Sequence, residues 1–208
     1  EECEKSAYGI PYLNSTDQYQ NFDIPDNDGI VASMDMDLIR RAGNVQAKTW
    51  RATGVRCLLG PQIDISTNPT YCRYSGSASE DPALNRDFAR AFITGLQSTF
   101  GDAACTDDQG WGKESILGMA KHYCGAGAVE GGRNDHTDGG KYNVFPGDNF
   151  KAHLIPFLDG ALNLGSKTEK CASIMPNYGI AYDESQKYGE NVGGGFSELR
   201  TSYLRNAG

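Results

Sequence analysis

The sequence lacks any apolar run near the roughly 20 residues that a membrane-spanning helix needs. Its apolar stretches are short, and its longest candidate helices carry charges throughout, so no membrane partner is expected. It also lacks a basic excess: 27 acidic against 19 basic residues leave a formal charge of -8. A surface for nucleic acid needs the opposite sign. The six cysteines (Cys3, Cys57, Cys72, Cys105, Cys124, Cys171) form no Cys-x-x-Cys pair, which argues against a zinc site, and a chain this long needs no dense disulfide framework. Cys57, Cys124 and Cys171 sit in or beside predicted strands and read as small buried thiols. The glycines from Gly125 to Gly132 lack the Gly-Lys-Ser/Thr ending of a phosphate-binding loop. Asp26-Asn27-Asp28-Gly29 has Ile24 at the first ligand position of a calcium loop and reads as a turn. No cofactor is expected. The start, Glu1-Glu2-Cys3-Glu4-Lys5, has neither the basic opening nor the apolar stretch of a signal peptide, although a removed leader would leave the same start. Asn14-Ser15-Thr16 fits a glycosylation sequon, which has meaning only in a eukaryotic secretory setting. A secreted or periplasmic location is the expectation, with the redox compartment left open by the cysteines.

What is present is an alternation of strands and helices within one domain spanning 1–208. Gly9-Ile10-Pro11-Tyr12-Leu13 leads towards a short strand. A helix over about 34–53 follows, with Ser33 as its cap and Asp35 and Asp37 in its first turn. Val55-Arg56-Cys57-Leu58-Leu59 reads as a buried strand. The next helix opens on Asp81 as cap and Pro82 as first residue, and carries Leu84, Phe88, Phe92 and Leu96 on one stripe. A third strand spans 116–123. Phe150, Leu154, Phe157, Leu158, Ala161 and Leu162 predict a helix over about 149–164. Cys171-Ala172-Ser173-Ile174-Met175 is a fourth strand, and a last helix covers about 196–205. Four such units imply an α/β fold with a parallel sheet and function at the C-terminal ends of its strands. Polar residues gather there: Asp17, then Asp64 and Arg73, then Lys121-His122, then Asn177-Tyr178.

The ordered set Gly60-Pro61-Gln62-Ile63-Asp64-Ile65, Arg73, Glu80-Asp81-Pro82, Lys121-His122-Tyr123 and Glu130-Gly131-Gly132-Arg133 closely resembles glycoside hydrolase family 3, in its β-glucosidase type. Trp111-Gly112-Lys113-Glu114-Ser115, Gly140-Lys141-Tyr142, Pro146-Gly147-Asp148-Asn149-Phe150, His153-Leu154 and Met175-Pro176 extend the likeness to nearly the whole chain from Gly9. Lys-His-aromatic alone is a weak signal; the order and spacing of the set make it specific. Two departures stand out. Pro69-Thr70-Tyr71-Cys72-Arg73 replaces the frequent Pro-Arg-Trp-Gly-Arg, and Gly76 replaces a commonly acidic position.

The resemblance implies part of a (β/α)8 barrel of the TIM type, about four βα units, incomplete at both ends. Four units cannot close a barrel and would leave two open sheet edges. The remaining barrel and a second α/β domain are therefore expected partners. The family's nucleophilic Asp and acid/base Glu would lie outside this chain, which alone would be inactive. The resemblance places Asp17, Arg73, Lys121 and His122 at the glycone, with Met175 and Tyr178 lining its pocket, and a β-linked oligosaccharide or glycoside as ligand. Such residues suit a pyranose: a carboxylate accepts from vicinal hydroxyls while Lys and Arg donate to their oxygens.

Simpler readings stand beside these. Neighbours in a strand point to opposite faces, so Lys121 and His122 share a pocket only if the backbone there is irregular. Arg73 could pair with Glu80 or Asp81, and Asp64 is read as organising its own loop through backbone hydrogen bonds. Two alternatives remain open: a non-catalytic carbohydrate-binding protein on the same fold, or the family's β-N-acetylglucosaminidase branch. In that branch a histidine oriented by a carboxylate shuttles the proton, and the residues here would be His136 and Asp135.

Overall fold

The computed structural model describes residue 3, residues 5–18 and residues 24–207. Glu1, Glu2 and Glu4 of the charged start, and Gly208, lie outside them. Four short strands, Ser15–Asp17 (β1), Cys57–Leu59 (β2), Leu117–Tyr123 (β3) and Ser173–Pro176 (β5), form one sheet in the order β1-β2-β3-β5. Every pairing is parallel, with Ser15 opposite Cys57, Cys57 opposite Leu117 and Met119 opposite Ser173. Parallel neighbours need crossover segments, and the helices supply them. A separate two-stranded parallel ribbon joins Tyr142–Asn143 (β4) to Ile180–Ala181 (β6).

Helix Pro82–Gln97 (α3) begins as predicted: the Asp81 carboxylate accepts the Leu84 amide at 2.8 Å and Pro82 occupies the first turn. Helix Met36–Ala52 (α2) is capped two residues later than expected. Asp35, not Ser33, accepts the Asp37 and Leu38 amides, each at 3.0 Å. Ser33 instead donates to the Ile30 carbonyl, closing the short helix Asn27–Val31 (α1), and Met34 takes a left-handed φ of 55° between the two. The supposed turn at Asp26–Gly29 is thus largely the start of α1. Gly43 and Gly95 let α2 and α3 touch backbone to backbone. A Cβ on Gly95 would stand 2.0 Å from the Arg40 carbonyl oxygen.

The helix expected over 149–164 is not one regular α-helix. Pro146–Leu154 is 3-10 in character, with Gly147 and Asp148 at positive φ, and Pro156–Ala161 winds as a π-helix. Pro156 offers no N–H to the turn before it, which breaks the regular ladder. Its apolar stripe is nevertheless inward, with Phe150, Leu154, Phe157 and Ala161 buried. The last helix, Glu198–Ala207 (α4), starts two residues late behind a 3-10 turn. Leu58, Phe88, Phe92, Ile93, Leu96, Ile116, Ala120, Tyr123 and Phe157 form the core between helices and sheet. Cys57, Cys124 and Cys171 are buried free thiols. Among the described residues no helix is long and apolar enough to cross a membrane.

Candidate functional site

The C-terminal ends of the strands bring Asp17 to Lys121 and Arg73 to His122. Asp17 closes β1, and its Oδ1 accepts from Lys121 Nζ at 2.5 Å, with the lysine buried and the aspartate half-exposed. Lys121 lies opposite Met175 in the sheet. The Lys121-His122 peptide is cis. Both side chains are nearly inaccessible, yet each reaches a partner from another strand connection. His122 Nε2 faces Arg73 Nη1 at 3.3 Å, and His122 Nδ1 faces Asp64 Oδ2 at 2.9 Å. The same Asp64 oxygen accepts the His122 backbone N–H at 3.1 Å. Asp64 therefore binds across the sheet end to His122 rather than organising its own loop, which corrects the sequence reading. Glu80 and Asp81 are engaged otherwise, with the Tyr74 hydroxyl and the α3 cap.

Asn177 and Tyr178 follow β5. Asn177 Nδ2 donates to Asn143 Oδ1 at 2.8 Å, tying the segment to β4. Tyr178 is half-exposed, and its ring stands 5.0 Å from that of His136. Behind them Arg200 is fully buried and donates to the carbonyls of Val192 at 2.6 Å and Gly179 at 3.4 Å. Burial lowers the pKa of its guanidinium.

Asp135 and His136 do not form a hydrogen-bonded pair: Asp135 Oδ1 is 3.9 Å from His136 Nε2, beyond hydrogen-bonding range. The Asp135 side chain turns inward, 2% exposed, while His136 remains half in solvent. Burial raises the Asp135 carboxyl above its usual range, with His122 opposing and Asp64 adding to the shift. Tyr71, buried beside the same groups, has its hydroxyl pushed far up by desolvation and then by Asp64 and Asp135. A buried polar cluster thus lies under the Arg73-His122 contact.

Residue types alone could not reveal two features. Asn27 Nδ2 donates to the carbonyls of Gln62 and Gly76 at 3.2 and 2.6 Å, bracing the loop that carries Arg73. His153 is buried against Phe145, and neither of its ring nitrogens has a hydrogen-bond partner among the described residues. Among the described residues no group of three His, Cys, Asp or Glu side chains is placed to hold a metal. A groove of about 590 Å³ between α2, α3 and segments preceding β3 and β5 is lined by none of the predicted residues.

Parallel strands ending in a cluster of Asp, Lys, Arg and His side chains define an α/β domain with its polar groups gathered at the strand ends. The Glycosyl hydrolase family 3 N terminal domain matches residues 2–173, and the chain belongs to that family. A periplasmic beta-glucosidase/beta-xylosidase of Dickeya chrysanthemi is 32% identical over 98% of this chain and 32% of its own length. Beta-glucosidase C of Emericella nidulans is 32% identical over 97% and 32%. The chain thus spans about a third of the length of these curated relatives. Among solved structures, a beta-glucosidase involved in saponin metabolism from intestinal bacteria superposes with a TM-score of 0.72 at 24% identity, over 97% of this chain and 25% of that one. A mutant beta-glucosidase of Listeria innocua in complex with laminaribiose gives 0.65 at 22%, over 83% and 22%. At such identities the structural likeness speaks for the fold.

Proposed function

We propose that this chain is the glycone-binding portion of a retaining, exo-acting β-glycosidase of the β-glucosidase type, acting on terminal β-D-glucosyl residues. The observation that carries the reading is the side-by-side placement of the Asp17-Lys121 ion pair and the Arg73-His122 contact at the strand ends. In this reading Asp17 accepts from vicinal sugar hydroxyls while Lys121 and Arg73 donate to ring substituents, and His122 fixes the guanidinium. Met175 and Tyr178 line the sugar. Charge-assisted bonds of this kind hold orientation as well as affinity. The four parallel strands are taken as a segment of a (β/α)8 barrel whose remainder, with a second α/β domain, completes the enzyme.

Retention needs two carboxyl groups roughly 5–5.5 Å apart, one attacking the anomeric carbon and one protonating the leaving oxygen. Both are assigned outside this chain, so the chain's own work is to bind and orient. A secreted or periplasmic setting belongs to the same reading, supported by the periplasmic Dickeya relative. The test is competition by D-glucose against aryl β-glucoside hydrolysis in the full-length enzyme. Asp17→Asn and Lys121→Met each raise the glucose inhibition constant by about 10- to 100-fold, the loss of one charge-assisted bond. Unchanged inhibition in both variants defeats the assignment.

A further inference from the structure

Asp64 is not among the residues assigned to the sugar, and its carboxylate is directed at one residue. It is 1% exposed, and its Oδ2 takes both the backbone N–H and the Nδ1 side of His122, 58 residues away. A carboxylate only accepts, so Nδ1 must carry the imidazole proton. On the other edge of the ring, Arg73 Nη1 stands 3.3 Å from Nε2. A guanidinium only donates, so that contact forms only if Nε2 keeps its lone pair. Two neighbours from different segments thus demand the same neutral tautomer. With the His122 side chain 4% exposed, water is poorly placed to relieve a wrong one. The hydrogen bond at one ring nitrogen decides what the other presents.

We propose that Asp64 is a positioning residue that locks His122 as the Nδ1–H tautomer and, through Nε2, sets the angle of the Arg73 guanidinium. The consequence for sugar binding rests on the glycone-site reading; the tautomer itself does not. Leucine in place of Asp64 keeps the branched shape but accepts nothing, so Nδ1 loses its acceptor and the ring is free to take the Nε2–H form, which turns an N–H against Arg73. An amide would not serve, because its oxygen would go on accepting the His122 backbone N–H and Nδ1–H together. Groups that orient a metal-binding histidine change affinity or activity by about 10- to 100-fold, and the low end of that scale is expected for a histidine that holds an arginine instead.

The experiment uses the full-length enzyme labelled with 15N-histidine, the His122 resonances being identified by their loss in His122→Gln. D-glucose inhibition and thermal midpoint are measured in parallel. The expected result is an Nδ1–H pattern in the wild type and a shift towards Nε2–H in Asp64→Leu. The glucose inhibition constant rises about tenfold or more, and the protein remains folded. An Nε2–H or doubly protonated ring in the wild type overturns the proposal, and needs no variant to fold. So does an Asp64→Leu enzyme that keeps wild-type glucose inhibition while Lys121→Met loses it. If neither variant weakens glucose although the tautomer switches, the glycone-site reading fails instead.

Discussion

His153 makes the stability of this fold fall in mild acid. The ring is buried against Phe145, with centroids 5.2 Å apart, and has no hydrogen-bond partner among the described residues. Burial lowers its pKa from 6.5 to about 4, against a smaller raising pull from Asp64. The folded state therefore resists a proton that the unfolded chain accepts at ordinary pH. Between those two values the unfolded state binds more protons, so stability rises with pH and is lost on acidification from 6.5 towards 4. At 1.36 kcal/mol per pH unit, the full window is worth about 3 kcal/mol, of which about 2 kcal/mol is lost between pH 7 and 4.5. The assay is urea unfolding of wild type and His153→Phe at several pH values in that interval. The variant keeps an aromatic ring on Phe145 but cannot titrate. Its absolute stability does not matter; the wild-type minus variant difference must shrink by about 2 kcal/mol between pH 7 and 4.5. Subtraction also cancels carboxylates such as Asp148 and Asp183, held low by hydrogen bonds. A difference that stays constant with pH would refute the claim that His153 is neutral and desolvated in the fold.

Three further outcomes follow from the geometry. Gly95→Ala gains about 1 kcal/mol of helix propensity, but its Cβ meets the Arg40 carbonyl at 2.0 Å; overpacking costs of roughly 1–3 kcal/mol or more win. The denaturation midpoint should drop with an unchanged m-value, and a stabilised variant would contradict the backbone contact of α2 with α3. Arg200→Lys keeps the charge but loses the fork that reaches Val192 and Gly179, costing roughly 2 kcal/mol in thermal unfolding. Retention of the wild-type midpoint would remove its bracing role. Arg73→Lys should raise the glucose inhibition constant of the full-length enzyme about tenfold, because a point charge cannot hold both His122 and a sugar; parity with wild type counts against the fixed guanidinium.

What could be read ahead of the structure was whatever is encoded locally. Asp81 and Pro82 announce α3 because cap and first turn are neighbours in sequence, and the strands β2, β3 and β5 betray themselves as short apolar runs. Ser33 and Asp35 are both good caps, however, and only the left-handed Met34 between α1 and α2 decides for Asp35. The apolar stripe at 150–162 is correctly inward, but periodicity cannot tell an α-helix from 3-10 and π turns broken at Pro156. The site divides in the same way. The resemblance marked Asp17, Arg73, Lys121 and His122 one by one, whereas their pairing spans 104 residues for Asp17 with Lys121 and 49 for Arg73 with His122. No local pattern carries such separations. Asp64 escapes local reading for the same reason: its own loop offers no sign of the imidazole, and only the parallel pairing of the chain after β2 with β3 puts its carboxylate there. The polar residues of this chain are thus chosen in pairs by the sheet, so a change at one strand end is felt first by the residue facing it from the neighbouring strand.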